Sequence, residues 1–259
     1  SIALKKYACD ADADCSGSGI PNGCVDELLT RVSEHATKYC YTVQNTGEAD
    51  LCSIKLDEPL NAGYNPSIGD ANGCLAPNGN PVWIGEALVT TPNVNEVERE
   101  IATVTATPYA NGSPNGAGDV DSSDPASILL LTASIEIKKY ACDSNAVCSG
   151  SGIPSGCVDG QLTRTYPSPT KYCYTVQNTG TADICGITMT DPVDGTFSPS
   201  VGDANGCLTA NGDPEWVDEL EGEPQEGILQ DETAEVTGTP DYEGADPVSD
   251  SDPASILLT

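Results

Sequence analysis

Hydrophobic and polar residues alternate along short segments of this chain, and the clearest of these segments occurs twice. In residues 38–47, Tyr39, Tyr41 and Val43 alternate with more polar neighbours, and the same letters recur at 171–180. A period of two residues is typical of a strand with one buried face. The Asn-Thr-Gly that ends each segment favours a turn, because Asn and Gly tolerate a left-handed backbone. The chain is therefore predicted to contain a duplicated β-domain.

Further alternating segments follow in the same order in both halves, with turns rich in Gly, Pro, Asn and Asp between them. In the first half they lie at 2–6, 51–56, 101–107 and 126–131. No long stripe with the helical period is present. About seven short strands in ~130 residues is the profile of an Ig-like sandwich. We predict an all-β protein of two tandem Ig-like antiparallel β-sandwich domains, repeat 1 at 1–132 and repeat 2 at 133–259.

The cysteines indicate an oxidising compartment. The chain has 12 cysteines, and the two halves place them at the same relative positions. Such an even, repeated set is typical of disulfide-stabilised extracellular domains. A zinc site is the alternative, but structural zinc sites favour closely paired ligands, and the chain has no CxxC pair and only one histidine. We therefore expect a disulfide-stapled protein located outside the cell or on its surface.

The pairing of the cysteines does not follow from their spacing, because six cysteines per domain allow many connectivities. Strand parity favours one of them. Cys40 alternates with Tyr39 and Tyr41, so its side chain is expected to point outward, as is that of Cys9, and the two are placed to pair across adjacent strands. The predicted disulfides are Cys9–Cys40, Cys15–Cys24 and Cys52–Cys74 in repeat 1, and Cys142–Cys173, Cys148–Cys157 and Cys185–Cys207 in repeat 2.

The strong negative charge excludes two classes of partner. Lys and Arg total 10 against 40 Asp and Glu, which gives a net charge of −30. Such a chain repels phosphates, so we expect no nucleic-acid partner. Anionic membrane surfaces would not attract it, and no apolar run is long enough for direct membrane insertion. Hydrophobic residues make up 38% of the chain at regular spacing, unlike a disordered acidic tail.

The acidic loops make calcium the cofactor hypothesis, because hard cations take several carboxylate oxygens from loops. The second copy keeps these acids only in part, and neither loop is an EF-hand, so solvated acidic loops are the alternative. Asn111-Gly112-Ser113 is a sequon that makes Asn111 a candidate glycosylation site. The candidate calcium ligands are Asp10, Asp12 and Asp14 in one segment and Asp119, Asp121 and Asp124 in another.

No constellation of catalytic residues is evident, so we predict no enzymatic activity and no catalytic residues. The single histidine, His35, has Ser168 as its counterpart, so a duplicated site would not use it. Trp83 and Trp216 each follow an Asn-Gly-x-Pro turn, and core packing is the preferred interpretation. A platform on which a sugar stacks is the alternative for these tryptophans.

A set of spaced residues in repeat 1 carries a resemblance to a known family: Tyr39, Tyr41, Val43, Asn45, Gly47, Ile54, Leu56, Glu58, Ala102, Val104, Ala106, Asp124, Ala126 and Ile128. On these residues, the repeat resembles the Ig-like "conserved repeat" modules that are arrayed in prokaryotic surface proteins and related extracellular proteins. The cysteine-rich segment 9–24 departs from that pattern, which leaves a eukaryotic relative, such as an algal or protist flagellar-hair protein, as an alternative. The resemblance implies the Ig-like fold and a spacer, stalk or adhesive role.

These observations predict a structural repeat unit of an extracellular filament, rod or surface appendage. The junction at 127–137 contains no Gly or Pro, so we expect stiff end-to-end coupling of the domains. Both ends of the chain fall on repeat boundaries, which is expected of a segment of a longer array. The expected partners are copies of the same protein or neighbouring repeats. The alternative is an adhesin or stalk module that binds glycans or proteins through its loops.

Overall fold

The structure is a computed structural model that describes residues 1–33, 36–59, 66–89, 93–192, 195–222, 224–242 and 244–259. His35 lies outside these residues. Every regular element in the described ranges is a β-strand, and none of them contains a helix long and apolar enough to cross a membrane. The chain divides into two compact units, Ser1–Leu130 and Leu131–Thr259.

The first unit is a sandwich of two sheets. One sheet has the strand order β2-β1-β4-β7, and the other has the order β3-β10-β8-β5-β6, with β9 paired to β8. Strands β1 and β4 form a nine-residue antiparallel ladder, because both carry the same alternation of large apolar and polar residues. The strands are β1 Ile2–Asp10, β2 Cys24–Val25, β3 Leu28–Val32, β4 Thr37–Asn45, β5 Asp50–Asp57, β6 Cys74–Leu75, β7 Val82–Val89, β8 Val97–Ala110, β9 Ser113–Pro114 and β10 Val120–Leu131.

The second unit repeats this topology, with sheets ordered β12-β11-β14-β17 and β13-β19-β18-β15-β16. Its named strand pairs are antiparallel apart from β13 with β19, which run parallel. The predicted fold class, two disulfide-stapled Ig-like β-sandwiches, is confirmed. The strands are β11 Ile135–Asp143, β12 Cys157–Val158, β13 Gln161–Arg164, β14 Thr170–Asn178, β15 Ile184–Asp191, β16 Gly195–Phe197, β17 Glu215–Gly222, β18 Leu229–Pro240 and β19 Val248–Leu258.

Strand β4 is buried on both faces, and its two faces meet different clusters. Tyr39, Tyr41 and Val43 lie in the main core between the two sheets, together with residues of β1, β5, β8 and β10. Cys40 points the other way, into a second cluster with Tyr7 and Cys9 under the cysteine-rich segment. The predicted inward and outward parity of β4 is therefore present. The loop that follows β1 covers the outer face of the sheet, which would otherwise be open to solvent.

A tight turn, Gly-Asp-Ala-Asn-Gly-Cys, precedes the third disulfide in each unit and depends on glycine. Gly202 has a φ of +87°, and a Cβ there would lie 2.5 Å from the Cys207 carbonyl oxygen. Asp203 accepts the backbone N–H groups of Asn205 and Cys207 at 2.8 and 3.1 Å. The aspartate therefore stabilises the turn through hydrogen bonds to its own backbone, as is common for Asp in turns.

Gly202→Ala is expected to destabilise the second unit by about 3 kcal/mol or more, because left-handed strain adds to a clash with backbone atoms that cannot move aside. Gly206→Ala is the matched control, since Gly206 has a φ of +75° and a Cβ there meets nothing within 4 Å. The control should lose only about 1–2 kcal/mol. Urea unfolding of both variants measures the difference, and equal losses would contradict the clash.

Candidate functional site

The disulfides hold the cysteine-rich loop on the sheet, with a pairing that differs from the predicted one. Cys9 is joined to Cys24 and Cys15 to Cys40, and Cys52 is joined to Cys74. The predicted pairs Cys9–Cys40 and Cys15–Cys24, and their counterparts Cys142–Cys173 and Cys148–Cys157, are therefore wrong. The second unit has the bridges Cys142–Cys157, Cys148–Cys173 and Cys185–Cys207.

The reason is strand β2, which the sequence pattern does not reveal. β2 places Cys24 directly opposite Cys9 in an antiparallel register, with their Cα atoms 4.0 Å apart. Tyr7, not Cys9, is the residue opposite Cys40 on β1. The sulfurs of Cys9, Cys24 and Cys40 lie within 4.8 Å of one another. Strand parity therefore predicts correctly that these sulfurs are neighbours, but it does not determine which two of them form the bond.

The tryptophans lie on the outer face of the sheet rather than in the main core. Trp83 on β7 is half-buried, its ring centroid lies 5.8 Å from that of Tyr7, and its Nε1–H donates to the Gly17 carbonyl at 2.8 Å. Trp216 makes the same contacts, with Tyr140 at 5.8 Å and the Gly150 carbonyl at 2.9 Å. Core packing is thus only part of their role, because each ring also fastens the cysteine-rich loop to the sheet.

A surface groove runs beside each tryptophan, and we call it the tryptophan groove. Its volume is about 530 Å³ in the first unit and about 420 Å³ in the second. The Gln44 side-chain amide at its edge donates to the Gly79 carbonyl at 2.9 Å, and Gln177 donates to Gly212 at the same distance. An aromatic wall with amide, hydroxyl and amine groups is the usual lining of a site for a polar ligand. Lining residues in the first unit include Lys5, Tyr7, Ser18, Gln44, Asn80 and Trp83.

The acids of the cysteine-rich segment do not converge. Asp10 is engaged by Arg31, whose Nε and Nη2 lie 2.6 and 2.8 Å from its carboxylate oxygens. Asp14 accepts the Ser16 hydroxyl at 2.9 Å, and Asp12 is exposed. In the second unit Arg164 binds Asp143 in the same way as Arg31 binds Asp10, and this hydrogen bond holds the pKa of Asp143 below its usual value. Asp10 therefore has a structural role, as the partner of Arg31.

The second set of acids lies on and before β10. Asp124 accepts the backbone N–H of Lys6 at 2.8 Å and so joins β10 to β1. Asp119 accepts the Thr107 hydroxyl at 2.7 Å, and Asp121 is exposed. Across the described part of the chain, no three carboxylates bring their oxygens within 4.8 Å of one another. The geometry therefore supplies no preformed calcium cage from these six aspartates.

The sequon at Asn111 lies at a hairpin tip. Asn111 and Gly112 connect β8 to β9, both are exposed, and both have positive φ values of +49° and +78°. Asn and Gly are the residues that such a turn favours. The side chain of Asn111 is thus presented to solvent, as a glycan acceptor requires.

A buried ionic network crosses each sandwich, and the sequence reasoning missed it. The side chains of Lys6 and Glu58 have no exposed surface, and their Nζ and Oε2 lie 3.1 Å apart. Tyr41 donates its hydroxyl to Glu58 Oε2 at 2.6 Å, and the Lys6 Nζ lies 3.9 Å from the centre of the Tyr39 ring. Burial lowers the pKa of Lys6, although Glu58 favours the charged amine.

The second unit has the same network with a shorter acid. Lys139 Nζ lies 2.8 Å from Asp191 Oδ2 and 3.5 Å from Glu232 Oε2. Tyr174 donates to Asp191 at 3.0 Å, and the Tyr172 ring centre lies 4.0 Å from Nζ. A signal for this network was present, because Lys6 has the same parity as the inward-pointing Ile2 and Leu4. A charged residue on the buried face of a strand requires a buried partner.

The turn aspartates should titrate at unusually low pH. Backbone N–H groups of Cys207 and Asn205 hold the pKa of Asp203 below its usual value, and Asp70 is held in the same way. A depressed folded-state pKa stabilises the fold above the unfolded-state pKa of about 3.9, and this contribution is lost as pH falls through the folded-state pKa. Carboxyl NMR titration should place both midpoints below the usual value. A midpoint at or above it would show that the turn bonds do not persist in solution.

Comparison with known proteins identifies no family. No protein-family model matches the chain, and no curated protein matches it in sequence. Among solved structures, it is similar to the CsuC–CsuE chaperone–tip adhesion subunit pre-assembly complex from archaic chaperone-usher Csu pili of Acinetobacter baumannii, at 10% identity and a TM-score of 0.25, covering 90% of this chain and 96% of that chain. It is also similar to extracellular cadherin domains 1–4 of protocadherin gamma B7, at 13% identity and a TM-score of 0.29, covering 86% and 57%.

These similarities are too weak to carry a functional argument. The resemblance to conserved-repeat modules stays a prediction. Only the geometry of the chain itself bears on its function.

Proposed function

We propose that the chain is a structural repeat unit of an extracellular filament, rod or surface appendage, and that repeats 1–132 and 133–259 assemble end to end through a stiff joint. The observation that carries the proposal is the connection between β10 and β11. β10 ends at Leu131 and β11 begins at Ile135, which leaves three residues, 132–134, between them. A connection this short and free of Gly and Pro has little freedom to bend.

The connecting residues are also hydrogen-bonded into the second unit. The backbone N–H of Thr132 donates to the Thr181 hydroxyl at 2.9 Å, and the N–H of Thr181 donates to the Thr132 carbonyl at 2.9 Å. Thr179 donates its N–H to the Ser134 carbonyl at 3.0 Å. These hydrogen bonds make residues 132–134 part of the second unit, so they are not a free tether. This arrangement supports transmission of tension along the chain.

Matched exposed apolar residues support self-association as the partner interaction. Ile20 and Ile153 occupy equivalent loop positions and are 54% and 55% exposed, and Val97 and Leu229 occupy equivalent strand positions and are 57% and 48% exposed. Exposed apolar side chains that recur in both copies fit contacts repeated along a polymer. The net charge of −30 would keep copies apart until counterions or a divalent cation screen it.

Electron microscopy of the native material, with calcium and with a chelator, tests the proposal. Regular polymers whose repeat matches the domain length are the expected result. Loss of these polymers on chelation would show that calcium is required for assembly. Isolated flexible strings under both conditions would contradict the filament function.

An adhesin that binds glycans is the second candidate, and the duplicated tryptophan groove favours it. A sugar ring would stack on the exposed part of Trp83 or Trp216 while the neighbouring amides and hydroxyls bind its hydroxyl groups. A glycan array probed with the intact chain identifies the ligand. The double variant Trp83→Ala/Trp216→Ala should then lose about tenfold or more in affinity. Tyr166→Ala is the control, because Tyr166 is 48% exposed away from the groove. An array with no specific ligand eliminates this candidate.

A further inference from the structure

The buried network brings an amine, a carboxyl group and a second carboxyl group together. In the second unit, Lys139 Nζ lies 2.8 Å from Asp191 Oδ2 and 3.5 Å from Glu232 Oε2. The side chains of Lys139 and Asp191 have no exposed surface, whereas Glu232 reaches the site from the rim with 12% exposure. The amine is thus in contact with the carboxyl group, and the carboxyl carbon lies one bond behind the contacted oxygen.

Condensation of this pair requires a neutral amine and a protonated carboxyl group. A carboxylate and an ammonium each lose several kcal/mol of solvation free energy when they leave water. The attraction between the two ions offsets this cost only where their geometry is excellent. The two tyrosine side chains enclose the pair: the Tyr172 ring lies against the amine, and the Tyr174 hydroxyl donates to the acid. A neutral amine is a nucleophile, and a neutral carboxylic acid is an electrophile that this hydroxyl polarises further.

We propose that Lys139 and Asp191 form an intramolecular amide bond, and that Lys6 and Glu58 form the equivalent bond in the first unit. Each bond is a modification site of the folded chain, and it requires no external enzyme or oxidant. The proposal is independent of the filament function, because it concerns what holds each sandwich together.

The reaction is a condensation that releases one water per bond. The lone pair of Lys139 Nζ attacks Cγ of the protonated Asp191 carboxyl group, forming the new C–N bond. Glu232 accepts a proton from Nζ and returns a proton to the departing hydroxyl of Asp191, so water leaves and Glu232 ends as it began. Amide formation from free acid and amine is unfavourable in water, but fixed intramolecular geometry corresponds to effective concentrations of about 10⁵–10⁸ M. The dry site also favours the departure of water.

The first unit has an equivalent pair of amine and carboxyl group, with a glutamate in place of the aspartate. Lys6 Nζ lies 3.2 Å from Glu58 Oε1 and 3.1 Å from Glu58 Oε2, so the amine faces the whole carboxyl group. Glu100, the repeat equivalent of Glu232, and Glu98 act on Lys6 electrostatically from β8. Burial lowers the pKa of the Lys6 ammonium, which raises the fraction of neutral amine.

The proposed amide bond would join parts of the sandwich that the disulfides leave unconnected. Cys142–Cys157 and Cys148–Cys173 lie on the sheet that contains β11 and β14, and Cys185–Cys207 lies on the β15 side. None of the six disulfides joins one sheet of a sandwich to the other. Lys139 is on β11 and Asp191 ends β15, so the amide would be the covalent link between the two sheets. A sandwich closed in this way could not open by separation of its sheets.

Intact-mass spectrometry of the purified full chain, after complete disulfide reduction and alkylation, tests the proposal. The expected mass is two waters below the mass calculated for the sequence with all 12 cysteines alkylated, and digestion should give branched peptides that join Lys139 to Asp191 and Lys6 to Glu58. A deficit of one water supports the bond in the unit whose branched peptide is found and overturns it in the other. The full calculated mass of the alkylated chain, in a protein shown to be folded before denaturation, overturns the proposal and leaves a buried ion pair.

Variants separate the roles of the three groups. Lys139→Arg should remove one water of the deficit, because a guanidinium is not a nucleophile at neutral pH. Glu232→Gln should slow or abolish the same loss while keeping the shape of the side chain, and an unchanged rate would overturn its role in proton transfer. Lys138→Arg is the matched control, because Lys138 is the neighbouring residue with a 41% exposed side chain and should keep the full deficit.

Discussion

Complete reduction of the disulfides is expected to abolish the cooperative unfolding transition of both units. Each unit has three bridges, which span sequence separations of 15, 25 and 22 residues in the first. In the chain-entropy model each contributes about 3 kcal/mol, and the total of roughly 9 kcal/mol matches the whole stability of a typical domain. Thermal unfolding followed by circular dichroism, with and without reductant, measures the effect.

Single bridges should show where this stabilisation resides. Replacing Cys148 and Cys173 by Ala removes the bridge that fastens the loop over β14 and should cost about 3 kcal/mol or more, because Trp216 and Tyr140 then lose the cover of the loop. The pair Cys185→Ala and Cys207→Ala is the control, since it removes a bridge of similar span from the other sheet. Full retention of the unfolding transition after complete reduction would show that the apolar cores alone stabilise the units.

Removal of one partner of the buried network is the second large effect that we expect. Lys139→Met leaves the Asp191 carboxyl group buried without its partner and should destabilise the second unit by about 3–5 kcal/mol. The double variant Lys139→Met/Asp191→Leu removes both polar groups and should recover the part of that loss that comes from the unpartnered carboxyl group, because well-packed apolar residues often replace a buried pair at little cost. Urea unfolding of the wild type and both variants at neutral pH measures the coupling.

The exposed neighbour provides the comparison for this prediction. Lys138→Met removes an equal charge from the adjacent position, where the side chain is 41% exposed and pairs with Glu136 on the surface. Its effect should stay within about 0.5 kcal/mol, as for most surface substitutions. If Lys139→Met were as mild as Lys138→Met, the amine would not be held in the core. A partial recovery in the double variant is expected whether the wild-type contact is ionic or covalent.

Much of the fold was predictable from alternation, because strand parity is a local property. Tyr39, Tyr41 and Val43 were expected on one face of β4 and Cys40 on the other, and the structure places them in separate clusters. The same pattern recurs letter for letter at 171–180, which indicates a duplicated strand and not chance spacing. The fold class then followed from the number and length of the segments.

The disulfide pairing was not predictable by the same reasoning. Cys9, Cys24 and Cys40 share a face and a neighbourhood, so the choice of bond depends on a register that a two-residue strand sets. Residues 24–25 are too short to carry a periodic signal. The loop that brings Cys15 over Cys40 follows no pattern in its own sequence. Its position is determined by the sheet beneath it and by the Trp83 indole that binds it.

The amino-acid sequence by itself determined the duplicated strands, the buried face of each strand and the presence of an oxidised cysteine framework, because these depend on local periodicity and composition. Only the tertiary structure decided that Lys6 meets Glu58 and that Lys139 meets Asp191. Each pair spans 52 residues and two sheets, and the contact forms only when the sandwich closes. Contacts between distant strands depend on how the sheets stack, which no local pattern encodes.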